Sequence, residues 1–473
     1  MRFLRRDRPN PSGQIILRPR NPARTLVLLF FLFIAVGTLL LRLPYSGRNG
    51  TIDWSTAAFT ATSAVCVTGL TVVDTPAAFS PFGQGVILLL VQAGGLGYMT
   101  SSTLLALLLR RQPGLHDRLL LSDTLGQLTL RDTGRVVWGA VRFTLGVEAA
   151  GALILAARFA QEPGRDLGEA VWLGVCNAVS AFCNADFVWL GSSGTGAHAG
   201  SLGRYRGDWV VNLTVMALVV IGGLGFVVCQ ELIRYRGKKP LSLLARLVLS
   251  WTGGLILFGA VVVLAAEWKN PGTLGPLPLH EKLLASLFHS ITIRTAGFST
   301  VDFGKLTSIS LLLMGVLMFI GASPGGTGGG VKTTTFAVTV AAVWASLRGR
   351  SDVELFHRRV PPDTVYRALV LIFLSAAVIM TAIFILTLTE PVPLIAAGFR
   401  ENLFVRIQFE VFSAFGTAGI STGITPSLTG AGRLVIMALM LLGRLGPLTV
   451  ATALATPGPA LKRRYAEEKV PLG

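Results

Sequence analysis

Four short turns in this chain combine residues that suit the binding of a monovalent cation. In chain order, turns one to four are Val67-Thr68-Gly69, Asn184-Ala185-Asp186, Thr295-Ala296-Gly297 and Thr417-Ala418-Gly419. Glycine allows a positive φ, which brings carbonyl oxygens close to an axis. A ring of such carbonyls replaces the hydration shell of a cation without a fixed charge. One such turn is weak evidence because Thr-x-Gly turns are common, but four turns in register predict a single central pore.

A fifth stretch is too rich in glycine to continue a helix. Residues 321–330 contain Pro324 and six glycines, and they interrupt a long apolar segment. Proline and repeated glycine break helices. A nucleotide-binding loop is not expected here, because Val331 separates Lys332 from the last glycine and no strand precedes the motif. A broken helix at membrane depth favours a mobile constriction.

Arg294 stands directly before turn three, where its positive charge would repel a bound cation. An unpaired arginine inside a membrane is costly. We therefore expect Arg294 to hold the turn through a salt bridge or backbone carbonyls.

Residues for enzymatic chemistry are scattered. The five histidines lie far apart in loops or short segments, and Glu148 and Asp186 form no evident pair. An intramembrane enzyme, the main alternative class, needs paired acids, a histidine cluster or a nucleophile with its base. The four cysteines have no metal-ligand spacing and are predicted to be buried thiols without a metal or cofactor.

The same arrangement of apolar segments recurs around each of the four turns. Each turn follows a short segment of roughly twelve to sixteen residues, which is too short to cross a bilayer at about 1.5 Å per residue. Each short segment and its turn lie between two long apolar segments, and this unit begins and ends beside basic clusters on the same side of the membrane. The short segment must therefore enter the membrane from the outside and return. Such re-entrant segments are tolerated only around protein or a water-filled cavity.

The predicted fold is an all-α polytopic membrane protein with four parallel M1–P–M2 repeats. It has eight transmembrane helices and four re-entrant pore helices, with pseudo-four-fold symmetry around a central pore. Predicted repeats cover residues 25–112, 113–240, 241–360 with a broken second helix, and 361–458. Glycine-rich points after each turn, such as Gly94-Gly95 and Gly222-Gly223, serve either close helix packing or a cavity lining.

Composition and charge place the chain in a bilayer. It is 52% apolar and only 14% charged, with a mean hydropathy of +0.63, whereas soluble proteins carry roughly a quarter charged residues. The net charge of +18 is concentrated in clusters on one side of the predicted spans. This is the positive-inside pattern and not a nucleic-acid face. Both termini, residues 1–24 and 459–473, are therefore predicted to be cytoplasmic.

Several sequence motifs, taken together, resemble one family. They are Phe59–Ala64 with Val67–Leu70, Gln92–Gly97, Ser180–Ala185, Arg294–Phe298, and Ser413–Gly419 with Ser421–Gly423. On these motifs the chain resembles pore subunits of the Trk/Ktr/HKT superfamily of K⁺ and Na⁺ transporters, and is most similar to the bacterial KtrB type. The match extends over all four repeats.

The resemblance implies a K⁺ uptake pore subunit in the bacterial inner membrane, with K⁺ or Na⁺ at the turns as the transported ion. It also implies a homodimer and a cytosolic RCK-type regulatory ring of the KtrA/TrkA kind, which is where nucleotide is expected. By the same resemblance, a gating loop under the filter is formed by Gly325, Gly326, Thr327, Gly328, Gly329, Gly330 and Lys332, and is faced by Arg444.

Asp186 departs from the family pattern, which has glycine at the third position of turn two. Aspartate takes a left-handed backbone only at some cost. Three interpretations stay open: the side chain bonds the loop away from the axis, it faces the ions, or the filter is altered. In the plant branch of the family, loss of a filter glycine accompanies Na⁺ preference. A Na⁺-permeable or poorly selective transporter is therefore the alternative function. Alternating access is disfavoured because the repeats are parallel.

Overall fold

The computed structural model describes residues 22–97, 133–187, 189, 201–235, 237, 240–399 and 401–454. The predicted cytoplasmic tail at 459–473 and nearly all of the segment at 1–24 lie outside these residues. The end of the first repeat and the start of the second also lie outside them.

The described chain is mostly helical. The helices are α1 (Pro22–Leu41), α2 (Trp54–Val65), α3 (Thr75–Ala78), α4 (Pro81–Gly95), α5 (Thr133–Phe159), α6 (Leu167–Cys183), α7 (Trp209–Leu224), α8 (Phe226–Arg234), α9 (Leu243–Glu267), α10 (Leu279–Thr292), α11 (Ser308–Phe319), α12 (Thr333–Leu347), α13 (Pro362–Thr389), α14 (Pro391–Ala396), α15 (Leu403–Gly416), α16 (Gly430–Leu445) and α17 (Pro447–Leu454). A small hairpin pairs β1 (Glu354–Leu355) with β2 (Arg358–Arg359).

Among the described residues, four helices are long and apolar enough to cross a membrane, namely α1 from Arg24, α5 from Trp138, α9 and α13. Two further spans are possible if each bent pair counts as one. The α7–α8 pair bends by 103° and the α16–α17 pair by 96°. Other apolar helices, including α4, α11 and α12, are shorter. The molecule is thus a multi-pass helical membrane protein.

The helices pack in four similar groups. In each group a long helix contacts a short helix that precedes a turn. In groups one, two and four, the short helix also contacts the apolar helix that follows the turn. The groups are α1–α2–α4, α5–α6–α7, α9–α10–α11 and α13–α15–α16.

Contacts between the groups follow one rule around a closed ring. The last helix of each group packs against the short helix of the following group: α4 on α6, α7 on α10, α11 on α15, and α16 on α2. The fourth group therefore returns to the first. This arrangement brings the C-terminal ends of α2, α6, α10 and α15 together, and the four turns follow these ends.

Candidate functional site

The four turns share an unusual backbone conformation at their first residue. Val67, Asn184, Thr295 and Thr417 all have positive φ values, of 56°, 59°, 79° and 51°. A left-handed backbone costs a residue with a side chain about 1–2 kcal/mol. Such strain persists only where the surrounding structure imposes it, and it concentrates at functional sites.

The third residue separates turn two from the others. Gly69, Gly297 and Gly419 have φ values of 90°, 84° and 83°. Asp186 is not among the residues with positive φ. The sequence suggested that aspartate would take the left-handed backbone at some cost. Instead, turn two avoids that conformation, so its third residue leaves the turn in a different direction.

The turns touch one another in a closed ring. A Cβ placed on Gly69 would lie 2.6 Å from the Asp186 nitrogen, so turn one abuts turn two. A Cβ on Gly297 would overlap both the Asp186 Cβ and the Ala418 carbonyl oxygen. A Cβ on Gly419 would overlap the Thr68 carbonyl oxygen. Each turn thus meets its neighbours so closely that these three glycines leave no room for a side chain.

The carbonyl oxygens of the turns have almost no protein partners. All twelve turn residues are buried. Among them, within the described chain, only the Ala185 carbonyl accepts protein hydrogen bonds, from the Ser180 hydroxyl and from the Phe187 N–H at 2.7 Å. More than nine in ten buried backbone polar groups in proteins are paired. A cluster of buried carbonyls without donors is suited to replace water around a cation.

Serine residues near the ends of the short helices hold three of the turns. The Ser63, Ser180 and Ser413 carbonyls accept from the N–H groups of the second residues of turns one, two and four, each at 2.8 Å. The Ser63 hydroxyl also accepts from Gly69 N–H at 3.0 Å. In turn three, Thr292 takes this place and accepts from Ala296 at 2.8 Å. The C-terminal ends of these helices direct partial negative charge towards the ring.

Residues 320–332, here named the central loop, connect α11 to α12 and lie against the broken helices of other groups. Ser323 and Thr327 donate their N–H groups to the carbonyls of Gly223 and Gly222, both at 3.0 Å. Gly330 donates to the Gly443 carbonyl at 3.1 Å. The loop is therefore secured to α7 and α16 by backbone hydrogen bonds.

The central loop also contacts the turns and the short helices. The Thr327 hydroxyl donates to the Phe182 carbonyl at 2.9 Å, and the Gly329 N–H donates to the Thr417 hydroxyl at 2.9 Å. A Cβ on Gly328 would overlap the Thr295 hydroxyl. The loop packs directly against turns three and four, and Gly328 allows the close approach to turn three.

Three cationic side chains contact backbone carbonyls around the central loop. Lys332 Nζ donates to Gly328 at 2.7 Å, and Arg294 Nη2 approaches the Gly321 carbonyl at 3.4 Å. Arg444 donates to the Thr327 carbonyl and to the Gly94 carbonyl. Arg294 thus contacts a carbonyl, which is one of the two arrangements expected from the sequence. Arg444 links the loop to the first group.

The glycine-rich points pack closely against the short helices. A Cβ on Gly94, Gly222 or Gly443 would overlap the carbonyl oxygen of Val65, Phe182 or Phe415, respectively. The helices also break just beyond these points, because Gly225 and Gly446 have φ values of 89° and 82°. Sequence reasoning expected a break only in the third group, and it missed the sharp bends after α7 and α16.

Two buried glutamates, which sequence reasoning missed, accept hydrogen bonds from the threonines that precede α11 and α16. Glu267, the last residue of α9, accepts from Thr307 N–H at 3.0 Å, just before α11. Glu390 accepts from Thr429 N–H at 2.9 Å, just before α16. An acid at the end of a long apolar segment, followed about 40 residues later by an N-cap threonine, is the signal that could have revealed them.

A bundle of apolar helices around a ring of buried, donor-poor turns defines a helical membrane protein with a central polar site. The chain belongs to the TrkH family of cation transport proteins, whose sequence pattern matches residues 13–463. This family consists of cation transporters and not enzymes. The resemblance seen in the motifs is confirmed.

Known relatives cover nearly the whole chain. It is 39% identical to the Ktr system potassium uptake protein B of Bacillus subtilis, over 92% of this chain and 93% of that protein. It is 34% identical to the potassium/sodium uptake protein NtpJ of Enterococcus hirae, over 96% and 97%. The crystal structure of the potassium transporter TrkH from Vibrio parahaemolyticus shares its fold, with a TM-score of 0.65, 19% identity, and coverage of 94% of this chain and 87% of that one.

Proposed function

We propose that this chain is the pore subunit of a Ktr-type K⁺ uptake system and conducts cations passively through the ring of turns. The observation that carries this proposal is the set of buried turn carbonyls without protein donors, gathered in one closed ring. Carbonyl rings coordinate K⁺ in place of water. A relative 39% identical to the chain is named a potassium uptake protein.

The proposed architecture has four parallel M1–P–M2 repeats around the pore, at residues 25–112, 113–240, 241–360 and 361–458. The cyclic contacts of α4 on α6, α7 on α10, α11 on α15 and α16 on α2 support it. In this architecture α2, α6, α10 and α15 are the re-entrant pore helices, and the four turns are the selectivity filter.

The central loop is the proposed gate. It lies against turns three and four, and its carbonyls are held by Lys332 and Arg444. Opening would require these hydrogen bonds to exchange. Charge-assisted hydrogen bonds contribute about 1.5–3 kcal/mol each, so the loss of one is enough to shift a closed loop towards an open one.

The partners proposed for this pore are a second copy of the chain and a cytosolic RCK-type ring that binds nucleotide. Support comes from the resemblance and from relatives named as components of a Ktr system. The proposed location is the bacterial inner membrane, with both termini in the cytoplasm.

A Na⁺-permeable transporter is the second candidate, and Asp186 is the observation that favours it. Turn two lacks the third-position glycine of the other turns, and its backbone differs from theirs. One relative, 34% identical, is named a potassium/sodium uptake protein.

Isotope uptake by the purified protein in liposomes tests both candidates. We expect uptake of ⁸⁶Rb⁺ driven by an outward K⁺ gradient, with ²²Na⁺ uptake measured in parallel vesicles. Comparable ²²Na⁺ uptake would favour the second candidate. Protein-containing vesicles that take up neither ion faster than empty vesicles would refute the proposed function.

The gate is tested by replacing Arg444 with alanine. Arg444→Ala removes the donors to the Thr327 and Gly94 carbonyls, so ⁸⁶Rb⁺ uptake without the regulatory ring should rise by at least about tenfold, equivalent to about 1.4 kcal/mol or more. Arg433→Ala is the matched control, since Arg433 is on the same helix and bonds Pro426 and Ser55 instead. Equal uptake by both variants and the unaltered protein would argue against a gate at the central loop.

A further inference from the structure

The Asp186 side chain lies inside the ring of turns and not outside it. Its Cβ is so close to Gly297 that a methyl group there would overlap it. The same Cβ lies 3.2 Å from the position of a Cβ on Gly419, which belongs to the turn on the opposite side of the ring. A side chain near both its neighbour and the opposite turn must lie close to the central axis.

One oxygen of the Asp186 carboxylate is left without a partner. Asp186 is 8% exposed, and within the described chain its Oδ1 is buried without a hydrogen bond. Ser201 lies beside the carboxylate. None of the ion pairs found in the described residues includes Asp186. A buried charge without a counter-charge is costly, and a bound cation offsets that cost.

Two backbone carbonyl oxygens lie near the Asp186 side chain. The Thr68 carbonyl lies against Gly419 and the Ala418 carbonyl lies against Gly297, and a Cβ on either glycine would also approach the Asp186 Cβ. Neither carbonyl accepts a protein hydrogen bond in the described chain. Carboxylate and backbone carbonyl oxygens, six to eight in number and flexibly arranged, are the ligands that Ca²⁺ takes.

Resting on the proposed conduction pathway, we infer that Asp186 and the carbonyls of Thr68 and Ala418 form a divalent-cation site at which Ca²⁺ blocks monovalent flux. The attraction between a carboxylate and a cation is twice as large for a divalent ion as for a monovalent ion at the same distance. Mg²⁺ should block less, because it loses its water reluctantly and requires strict octahedral geometry.

The test compares Ca²⁺ sensitivity with and without the carboxylate. ⁸⁶Rb⁺ uptake into liposomes is measured over a Ca²⁺ series, and each protein is normalised to its own uptake without Ca²⁺. Half-block of the unaltered protein is expected on the order of 10⁻⁴–10⁻³ M. Asp186→Asn, which keeps the shape and removes the charge, should require at least tenfold more Ca²⁺. Asp302→Asn, which removes a carboxylate that caps a loop after turn three, is the control and should keep the original sensitivity.

A binding measurement separates this inference from the proposed function. Equilibrium binding of ⁴⁵Ca²⁺ to the purified protein in nanodiscs needs no transport, and it should show a site lost in Asp186→Asn and kept in Asp302→Asn. If ⁸⁶Rb⁺ uptake without Ca²⁺ fails but this binding difference is found, the conduction proposal fails and the site stands. Equal ⁴⁵Ca²⁺ binding by Asp186→Asn and the unaltered protein would overturn the inference, whatever the uptake.

Discussion

Turns two and three lie side by side in the ring but differ in the backbone conformation of their third residue. Both follow a short helix and both begin with a left-handed residue, Asn184 or Thr295. Turn three then uses Gly297 at a φ of 84°, whereas turn two places Asp186 outside the left-handed region. The comparison teaches that the third position of a turn accommodates a side chain only where its backbone leaves the left-handed conformation of the other three turns.

The largest expected effect comes from replacing the third residue of turn three, Gly297, with the aspartate found at the same position of turn two. Gly297→Asp places a side chain on a left-handed backbone, where its Cβ would overlap Ala418 and Asp186. The backbone strain alone costs about 1–2 kcal/mol. We expect ⁸⁶Rb⁺ uptake by this variant to fall at least about tenfold.

The reciprocal change, Asp186→Gly, serves as the matched comparison. It adds no atoms and removes a charge from the ring, so uptake should persist and the K⁺/Na⁺ flux ratio should rise by about tenfold, equivalent to about 1.4 kcal/mol. Parallel ⁸⁶Rb⁺ and ²²Na⁺ uptake in vesicles measures this ratio. An unchanged ratio would mean that Asp186 does not influence ion choice.

A smaller effect is expected at the contact between the two turns. Asn184 Nδ2 donates to the Thr295 hydroxyl at 2.9 Å, and asparagine accepts a left-handed backbone better than alanine. Asn184→Ala should therefore lower the free energy of unfolding by about 1–2 kcal/mol and reduce ⁸⁶Rb⁺ uptake several-fold. Thermal unfolding and uptake of the same preparation measure both effects. Thr214→Ala, on α7 in the same group, offers a control away from the turns.

The smallest expected effect is at the serine pair beside Asp186. Ser201 and Ser299 exchange hydrogen bonds between backbone N–H and hydroxyl, at 3.1 and 3.0 Å. Ser201→Ala removes one of them, at a cost of about 0.5–1.5 kcal/mol. The K⁺/Na⁺ flux ratio should change less than in Asp186→Gly. A change as large as that of Asp186→Gly would show that Ser201 contributes to ion choice as much as the carboxylate does.

Much of this arrangement was predictable from local patterns. The short segments before the turns, the Thr-x-Gly spacing and the broken helix near Pro324 all appear in the sequence, because helix length and glycine content are local properties. The described helices α2, α6, α10 and α15 lie where the short segments were expected. Membership of the cation transporter family also followed from the motifs.

Other features depend on contacts between distant residues and could not be predicted. The conformation of Asp186 is set by Gly69, Gly297 and Gly419, which come from three other parts of the chain. The bends at Gly225 and Gly446 follow from packing beside the central loop and the short helices, since Gly94-Gly95-Leu96-Gly97 and similar motifs are equally compatible with a straight helix. The roles of Glu267 and Glu390 as acceptors for distant helix starts were missed for the same reason.

The central claim is that the carbonyls of the four turns bind the transported cation. It is tested most directly by X-ray diffraction from crystals grown in Rb⁺, with data collected at the rubidium absorption edge. We predict anomalous density on the axis of the ring, within coordination distance of the carbonyls of Thr68, Ala296 and Ala418. Rubidium density that is found only elsewhere in the protein, with none in the ring, would contradict the claim.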